Sequence, residues 1–183
     1  MTKVTATFIP LSIAVLTISD TRTRENDTSG DFLHDSLETA GHLMATRDIV
    51  IDDVYQIRAA VSRYIADPDI HAVLITGGTG FTGRDTTPES LMPLFDKQIE
   101  GFGELFRSLS YSEIGTSTIQ SRAFAGLANK TAIFCMPGST GACRTAWNGI
   151  IKDQLNATYG PCNFVAHLAP EKVAQCESRP HGI

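Results

Sequence analysis

Cysteine is sparse in this chain. Cys135, Cys143, Cys162 and Cys176 stand far apart with no C-x-x-C among them, which argues against a zinc site or a redox pair and reads as reduced thiols of a cytoplasmic protein. No apolar stretch approaches the length of a membrane span, and the amino end carries no signal-peptide h-region, so neither a membrane protein nor an exported one is expected. No basic tract offsets the formal charge of -5 or the pI near 5.5, and a nucleic-acid partner is not expected. Four of the five histidines, His34, His42, His71 and His167, lack ligand spacing; surface or helix-end positions suit them better than a metal. Repeats and low-complexity tracts are missing too. What remains is 183 residues, 42% hydrophobic and 19% charged, enough for one domain with a full core and too few for two ordinary ones.

The most informative segment runs from Val73 to Glu89, VLITGGTGFTGRDTTPE. An apolar β-branched run stops at glycines, then comes Asp85, then a Thr-Pro-Glu helix start. Such an order describes a buried strand delivering a tight turn to the carboxyl edge of a parallel sheet, where α/β folds bind ligands. Glycines leave N–H groups bare for phosphate oxygens. A carboxylate beside them repels phosphate unless a metal lies between, so Asp85 points to a phosphorylated ligand held with Mg²⁺.

Gly78, Gly80 and Gly83 also spell the G-x-G-x-x-G of a dinucleotide site, but the context is wrong for it. That fingerprint enters a helix at its third glycine, whereas here Arg84-Asp85-Thr86-Thr87-Pro88 intervenes. The acidic residue expected at the end of a second strand finds only Glu100, inside Asp96–Gly103, which does not read as a strand. No tyrosine is followed four positions later by lysine, so a dehydrogenase acid–base pair is missing as well.

Elsewhere apolar runs alternate with helical periodicity, which predicts an α/β fold with a parallel sheet covered on both faces. Strands are expected over 11–18, 43–51, 72–76 and 131–136, and helices from Thr28, over 54–66, 88–95 and 140–155, with a further one over 103–109. Phe102, Phe106, Leu109 and Trp147 fall on apolar stripes suited to the core or to a subunit interface. The domain spans 10–168, and residues 1–9 and 170–183 read as weakly ordered ends. Four predicted strand ends carry chemistry: Ser19-Asp20, Asp52-Asp53, the loop Gly77-Gly78-Thr79-Gly80 through Asp85, and Pro137-Gly138-Ser139-Thr140. Each alone is ordinary capping or turn composition. In a parallel sheet, though, all four share one rim.

At these residues the sequence resembles the MoaB/Mog molybdopterin-binding family of molybdenum cofactor biosynthesis proteins, along almost the whole of 10–168. The resemblance is carried by Leu16–Thr21, Asp27–Gly30, Asp52-Asp53, Thr76–Gly80 with Asp85 and Thr87–Glu89, and Met136–Ser139. Gly101–Glu104, Ile114–Ser117 with Ser121-Arg122, and Ala142–Trp147 add to it, the last two pointing to the B branch. It implies a three-layer α/β/α fold with a mostly parallel sheet, assembled as a homo-oligomer, either trimer or hexamer. It also implies an adenylyltransferase reaction, in which the terminal phosphate of molybdopterin attacks the α-phosphate of MgATP and releases pyrophosphate. Under that reading Gly77, Gly78, Thr79 and Gly80 cradle a phosphate, Asp52 and Asp85 hold Mg²⁺, Pro137, Gly138 and Ser139 grip a second anionic group, and Ser19 with Asp20 orients the pterin or ribose. Arg84 is placed to neutralise the leaving pyrophosphate or else is a plain surface arginine. The family leaves open a second use of the same site, pterin or nucleotide binding without turnover, and a third, a scaffold role.

Overall fold

The computed structural model describes residues 7–173. Six strands form one sheet in the order β2-β1-β3-β6-β5-β4: β1 (Ser12–Ile18), β2 (Leu43–Val50), β3 (Ala72–Thr76), β4 (Lys97–Gln98), β5 (Phe124–Ala128) and β6 (Thr131–Met136). The first four in space run parallel, while β5 and β4 pair antiparallel. The expected strand runs are therefore present, and the antiparallel pairing at one edge makes the sheet mostly parallel, as expected. Lys97–Gln98 corrects the reading of Asp96–Gly103 as free of strand, although two antiparallel residues cannot serve as the second strand of a βαβ unit.

The helices are α1 (Thr28–Thr39), α2 (Val54–Ala66), α3 (Thr87–Leu91), α4 (Glu100–Ile114), α5 (Thr140–Ala146), α6 (Lys152–Gln154) and α7 (Val165–Leu168). Side chains alternate across each strand, so the sheet feeds two cores. On one face Ile13, Val15, Leu74 and Phe134 pack with Leu33 and Leu37 of α1, Phe102 and Phe106 of α4, and Trp147. On the other, Leu16, Val73, Ile75 and Ile133 pack with Ile57 and Val61 of α2 and with Leu91 of α3. Helices cover both faces, giving the three layers. The helix expected over 140–155 is continuous but contains one π turn, Trp147–Ile151, between α5 and α6. The helix expected over 88–95 is shorter, closing in a 3₁₀ turn at Met92–Leu94.

Register fixes the rim. Ile18 lies opposite Val50, Thr17 opposite Thr76, and Thr76 opposite Met136, so the four parallel strands end level with one another. The chain steps from β1 outward to β2 and then returns across β1 to β3, which makes the β1/β3 junction the switch point where a crevice opens. At the opposite end, His42 and His71 are buried rather than on the surface, with His42 just past the end of α1, a helix-end position, its amide donating to the Leu37 carbonyl. The described parts of the two termini are also packed: Ile9 and Val173 rest against the core. The remaining terminal residues of the weakly ordered assignment lie outside the described residues, as does Cys176. No helix among the described residues is long and apolar enough to cross a membrane.

Candidate functional site

The loop after β3 is forced into its shape by its neighbours. Gly77 has φ +108°, and a Cβ there would stand 2.1 Å from the Ile18 carbonyl at the end of β1. Gly78 has φ +63°, and a Cβ would meet Thr87 Oγ1 at 2.2 Å and Asp52 Oδ2 at 2.6 Å. Both positions therefore require glycine. The turn is anchored from α3, where the Thr87 amide donates to the Gly78 carbonyl (3.0 Å) and Thr87 Oγ1 donates to the Gly77 carbonyl (2.9 Å). Among the described residues the amides of Gly78 and Thr79 donate to nothing. Gly83 is different, since a Cβ there meets nothing within 4 Å. The third glycine of a dinucleotide fingerprint serves close helix–strand packing, and here no such packing exists.

The second turn leans on the first. A Cβ on Gly138 would be 3.3 Å from Gly77 Cα, so the β6 turn and the β3 loop touch backbone to backbone. Thr76 Oγ1 donates to the Pro137 carbonyl (3.1 Å), and Ser29 Oγ of α1 donates to the Gly138 carbonyl (2.8 Å). Ser139 caps α5, its hydroxyl accepting from the Ala142 amide at 3.2 Å. Beneath the turns sits Cys143, with Sγ 3.2 Å from Thr76 Oγ1; burial pushes its thiol up to about 11, and burial pushes the thiol of Cys135 well up too. Neither is poised to react.

Three carboxylates converge on the crevice. Asp52 is buried, and its Oδ1 accepts from the Thr86 amide (3.1 Å) and the Thr86 hydroxyl (2.6 Å), while Oδ2 has no donor among the described residues. Asp85 Oδ2 accepts from the Thr82 amide (2.8 Å) and hydroxyl (2.6 Å). Burial raises the Asp85 carboxyl, but the Thr82 donors, the nearby Gly80 amide and the charge of Arg122 outweigh it and hold it below its ordinary value. Asp20 accepts from both Nε (2.9 Å) and Nη2 (2.7 Å) of Arg84, and from the Asp52 amide (3.1 Å). Arg84, then the Asp52 amide, hold Asp20 below the usual range. Ser19 is engaged locally, its hydroxyl accepting from the amides of Thr21 (3.2 Å) and Arg22 (3.1 Å).

The structure thus brings together Asp20, Asp52, the Gly77–Gly80 loop with Asp85, and the Pro137-Gly138 turn. Two of the sequence-level assignments are altered. Arg84 is tied to Asp20, and the Ser139 hydroxyl is committed to its own helix. Asp52 and Asp85 form no salt bridge among the described residues, and no cluster of three or more His, Cys, Asp or Glu suited to a metal occurs there.

Arg122 stands in the sequence only as a motif residue, and its part in the loop is visible only in the fold. Its Nε donates to the Gly80 carbonyl (2.8 Å), Nη2 to the Asp85 carbonyl (2.8 Å) and Nη1 to Glu89. Its own amide donates to the Thr79 carbonyl at 3.2 Å. One side chain thereby holds both ends of the 80–85 loop. Asp27 was likewise read only as a motif residue. Fully buried, it caps α1 through the Gly30 amide (3.0 Å) and pairs with Arg47 (2.8 Å) and Thr17 (2.8 Å), which fixes α1 and with it Ser29.

Comparison with known proteins gives a coherent result. A family model described as "Probable molybdopterin binding domain" matches residues 14–157. The chain is 59% identical over 168 residues to molybdenum cofactor biosynthesis protein B of Escherichia coli (strain K12), covering 92% of this chain and 99% of that one. It is 47% identical over 142 residues to the protein of the same name from Bacillus subtilis (strain 168), covering 77% and 84%. Among solved structures, the tungsten cofactor synthesizing protein MoaB from Pyrococcus furiosus superposes with a TM-score of 0.70 at 35% identity, covering 77% of this chain and 90% of that one.

Proposed function

The chain belongs to the molybdopterin-binding family of molybdenum cofactor biosynthesis proteins, and from that premise we propose that it binds molybdopterin at the β1/β3 crevice and transfers AMP to it from ATP. In the reaction an oxygen of the terminal phosphate of molybdopterin bonds to the α-phosphorus of ATP. The bond from that phosphorus to the bridging oxygen breaks, and pyrophosphate leaves with the electron pair. Nucleotidyl transfer of this kind asks the protein mainly for positioning and charge neutralisation.

The observation that supports this reading is the pairing of free loop amides with two carboxylates that lack a counter-ion. The amides of Gly78 and Thr79 donate to nothing among the described residues and are available to a phosphate that reaches the turn. Asp52 and Asp85 stand beside them, each committed to a threonine on one oxygen. One or two carboxylates completed by substrate phosphates and water are the donor set that Mg²⁺ favours, so the residues fit the ion that the resemblance implies. Bound there with ATP, Mg²⁺ would supply charge neutralisation at the phosphates. Pro137 and Gly138 bring a second strip of backbone to the crevice, and Ser139 contributes through the turn it caps, for a second anionic group. Ser19 shapes the turn that presents Asp20 toward ribose or pterin, and Arg84 sets the orientation of that carboxylate.

Binding without turnover is the alternative, favoured by one observation: Arg84 is tied to both oxygens of Asp20 and so is not free to neutralise a leaving pyrophosphate. Incubating the purified protein with molybdopterin, MgATP and pyrophosphatase, and following adenylylated molybdopterin by chromatography, separates the two. The enzyme reading expects product, reduced on the order of a hundredfold or more in Asp85→Asn. Asparagine keeps an oxygen to accept from Thr82, so the variant should fold normally. Bound molybdopterin with no product would establish the alternative, and full activity in Asp85→Asn would sink the metal assignment.

We also propose a homo-oligomer, trimer or hexamer, working in the cytoplasm, where free Cys135, Cys143 and Cys162 are at home. Tyr111, Ile114 and Ile119 are 60%, 55% and 77% exposed around the end of α4, an apolar surface suited to another subunit. Sedimentation velocity at micromolar concentration checks this, and a monomer there would refute it.

A further inference from the structure

We propose that Phe81 is a stacking platform for the flat nitrogen heterocycle of the substrate whose phosphate lies in the glycine loop; the inference rests on the phosphate-binding reading of that loop. Between Gly77 and Thr86 the loop consists of glycine, threonine, one arginine, one aspartate and this single phenylalanine. The ring is 68% exposed. Lone exposed apolar residues are common, so exposure by itself assigns nothing. What sets Phe81 apart is how it is backed.

Arg122 lies over the ring with its Cζ 5.2 Å from the centroid. Each nitrogen of its guanidinium donates once, to the carbonyls of Gly80 and Asp85 and to Glu89. A planar cation held in its plane at all three nitrogens presents its faces to neighbours, and Phe81 takes one of them. The ring is thus held by the same side chain that clamps the loop, so its position follows the phosphate cradle. Its open surface is the side away from Arg122. It also follows directly on Gly80, where a Cβ would come within 2.8 Å of Asp85 Oδ2. A ring there is one residue from the glycine-loop backbone, and the residue before it lies against Asp85. Aromatic faces stack on any flat base, and the proposed substrates supply two: the pyrimidinone ring of the pterin and the adenine of ATP.

The test is equilibrium binding of molybdopterin, ATP and inorganic pyrophosphate to the wild-type protein and to Phe81→Ala, Phe81→Leu and Phe81→Tyr. Phe81→Ala and Phe81→Leu should weaken molybdopterin or ATP roughly tenfold or more, as loss of a stacked base does. Phe81→Tyr should retain wild-type affinity, and pyrophosphate, which has no ring, should bind all four proteins alike. The ligand that weakens identifies which heterocycle stacks. Equal affinities for both ring-bearing ligands in Phe81→Ala would overturn the platform while leaving the phosphate reading intact. A loss in Phe81→Ala that Phe81→Leu restores would overturn it too, since apolar cover would then suffice. If the wild-type protein bound neither molybdopterin nor ATP, the phosphate reading itself would fall and carry this proposal with it.

Discussion

A methyl group on residue 78 would stand 2.2 Å from Thr87 Oγ1 and 2.6 Å from Asp52 Oδ2, on a backbone with φ +63°. Neither neighbour is free to give way, because Thr87 Oγ1 donates to the Gly77 carbonyl and Asp52 Oδ1 is held by Thr86. Gly78→Ala should therefore combine backbone strain with overpacking and lose roughly 2–5 kcal/mol. It should also abolish molybdopterin binding, since relieving the clash moves Asp52 or the loop amides. Gly83→Ala provides the comparison: with open space around it, that variant should melt and bind as the parent does. Thermal unfolding and ligand titration of the pair check this, and a normal Gly78→Ala protein would mean that the loop adapts. These glycines were legible in the sequence because a strand, a turn and a carboxylate stood in one continuous segment. Arg122 was not, because its acceptors Gly80 and Asp85 lie far back in the chain and only the folded sheet brings it to them.

Legibility of the elements follows how each is buried. The strands β3 and β6 are buried along their whole length, which requires unbroken apolar runs, and such runs are visible without a structure. The helix α2 shows a one-sided stripe and an Asp53 cap whose carboxylate accepts from the Tyr55 and Gln56 amides, and its bounds fall where expected. The helix α4 extends over Glu100–Ile114, longer than the expected 103–109, because Gly101 and Gly103 lower its apparent propensity. Tertiary packing overrides that: Phe102 and Phe106 are buried in the core, and a Cβ on Gly103 would collide with the Ala123 carbonyl at 2.5 Å, so glycine is what lets β5 approach. The strand β5 itself is short and includes Gly126, which weakens the strand signal. Its hairpin with β6 turns through Asn129 (φ 45°) and Lys130 (φ 69°), both left-handed, although lysine in the second position does not announce such a turn as glycine would. The antiparallel edge was therefore hidden for reasons of local chemistry, while the parallel centre that forms the rim was not.

Across the whole molecule the two ends of the sheet do different work. At the carboxyl end lie the Gly78 and Thr79 amides, which donate to nothing among the described residues, with Asp52 and Asp85, which form no salt bridge there; at the amino end, two neutral imidazoles pin the strands. His42 Nδ1 accepts from the Leu11 amide (3.3 Å) and His71 Nδ1 from the Ser12 amide (3.0 Å), consecutive residues at the start of β1. Both rings are buried, at 4% and 7% exposure. Protonating Nδ1 removes the acceptor and leaves a charge in a site that cannot solvate it. Burial accordingly lowers His42 from 6.5 to about 4. It also lowers His71, where the charge of Lys172 adds to the effect against the opposing pull of Glu171 and Asp69. Around His42 the neighbours are Phe8 and Trp147, which offer no compensating charge. Because the folded values lie below the unfolded ones, the unfolded chain takes up these protons first as pH falls. On account of these rings stability should be flat from about pH 7 to about pH 8, decline as pH drops through the ordinary histidine value near 6.5, and stop declining on this account near pH 4, where folded His42 itself titrates. Depressed carboxylates such as Asp27, Asp85 and Asp20 act only below the ordinary carboxylate value of about 4, so the two windows are distinct. Urea midpoints measured from about pH 8 to pH 4.5 should show the upper decline in the wild-type protein and a shallower one in His42→Asn, whose amide can accept the Leu11 hydrogen bond without titrating. A wild-type midpoint that held level across that range would show that these rings do not pin the sheet in neutral form.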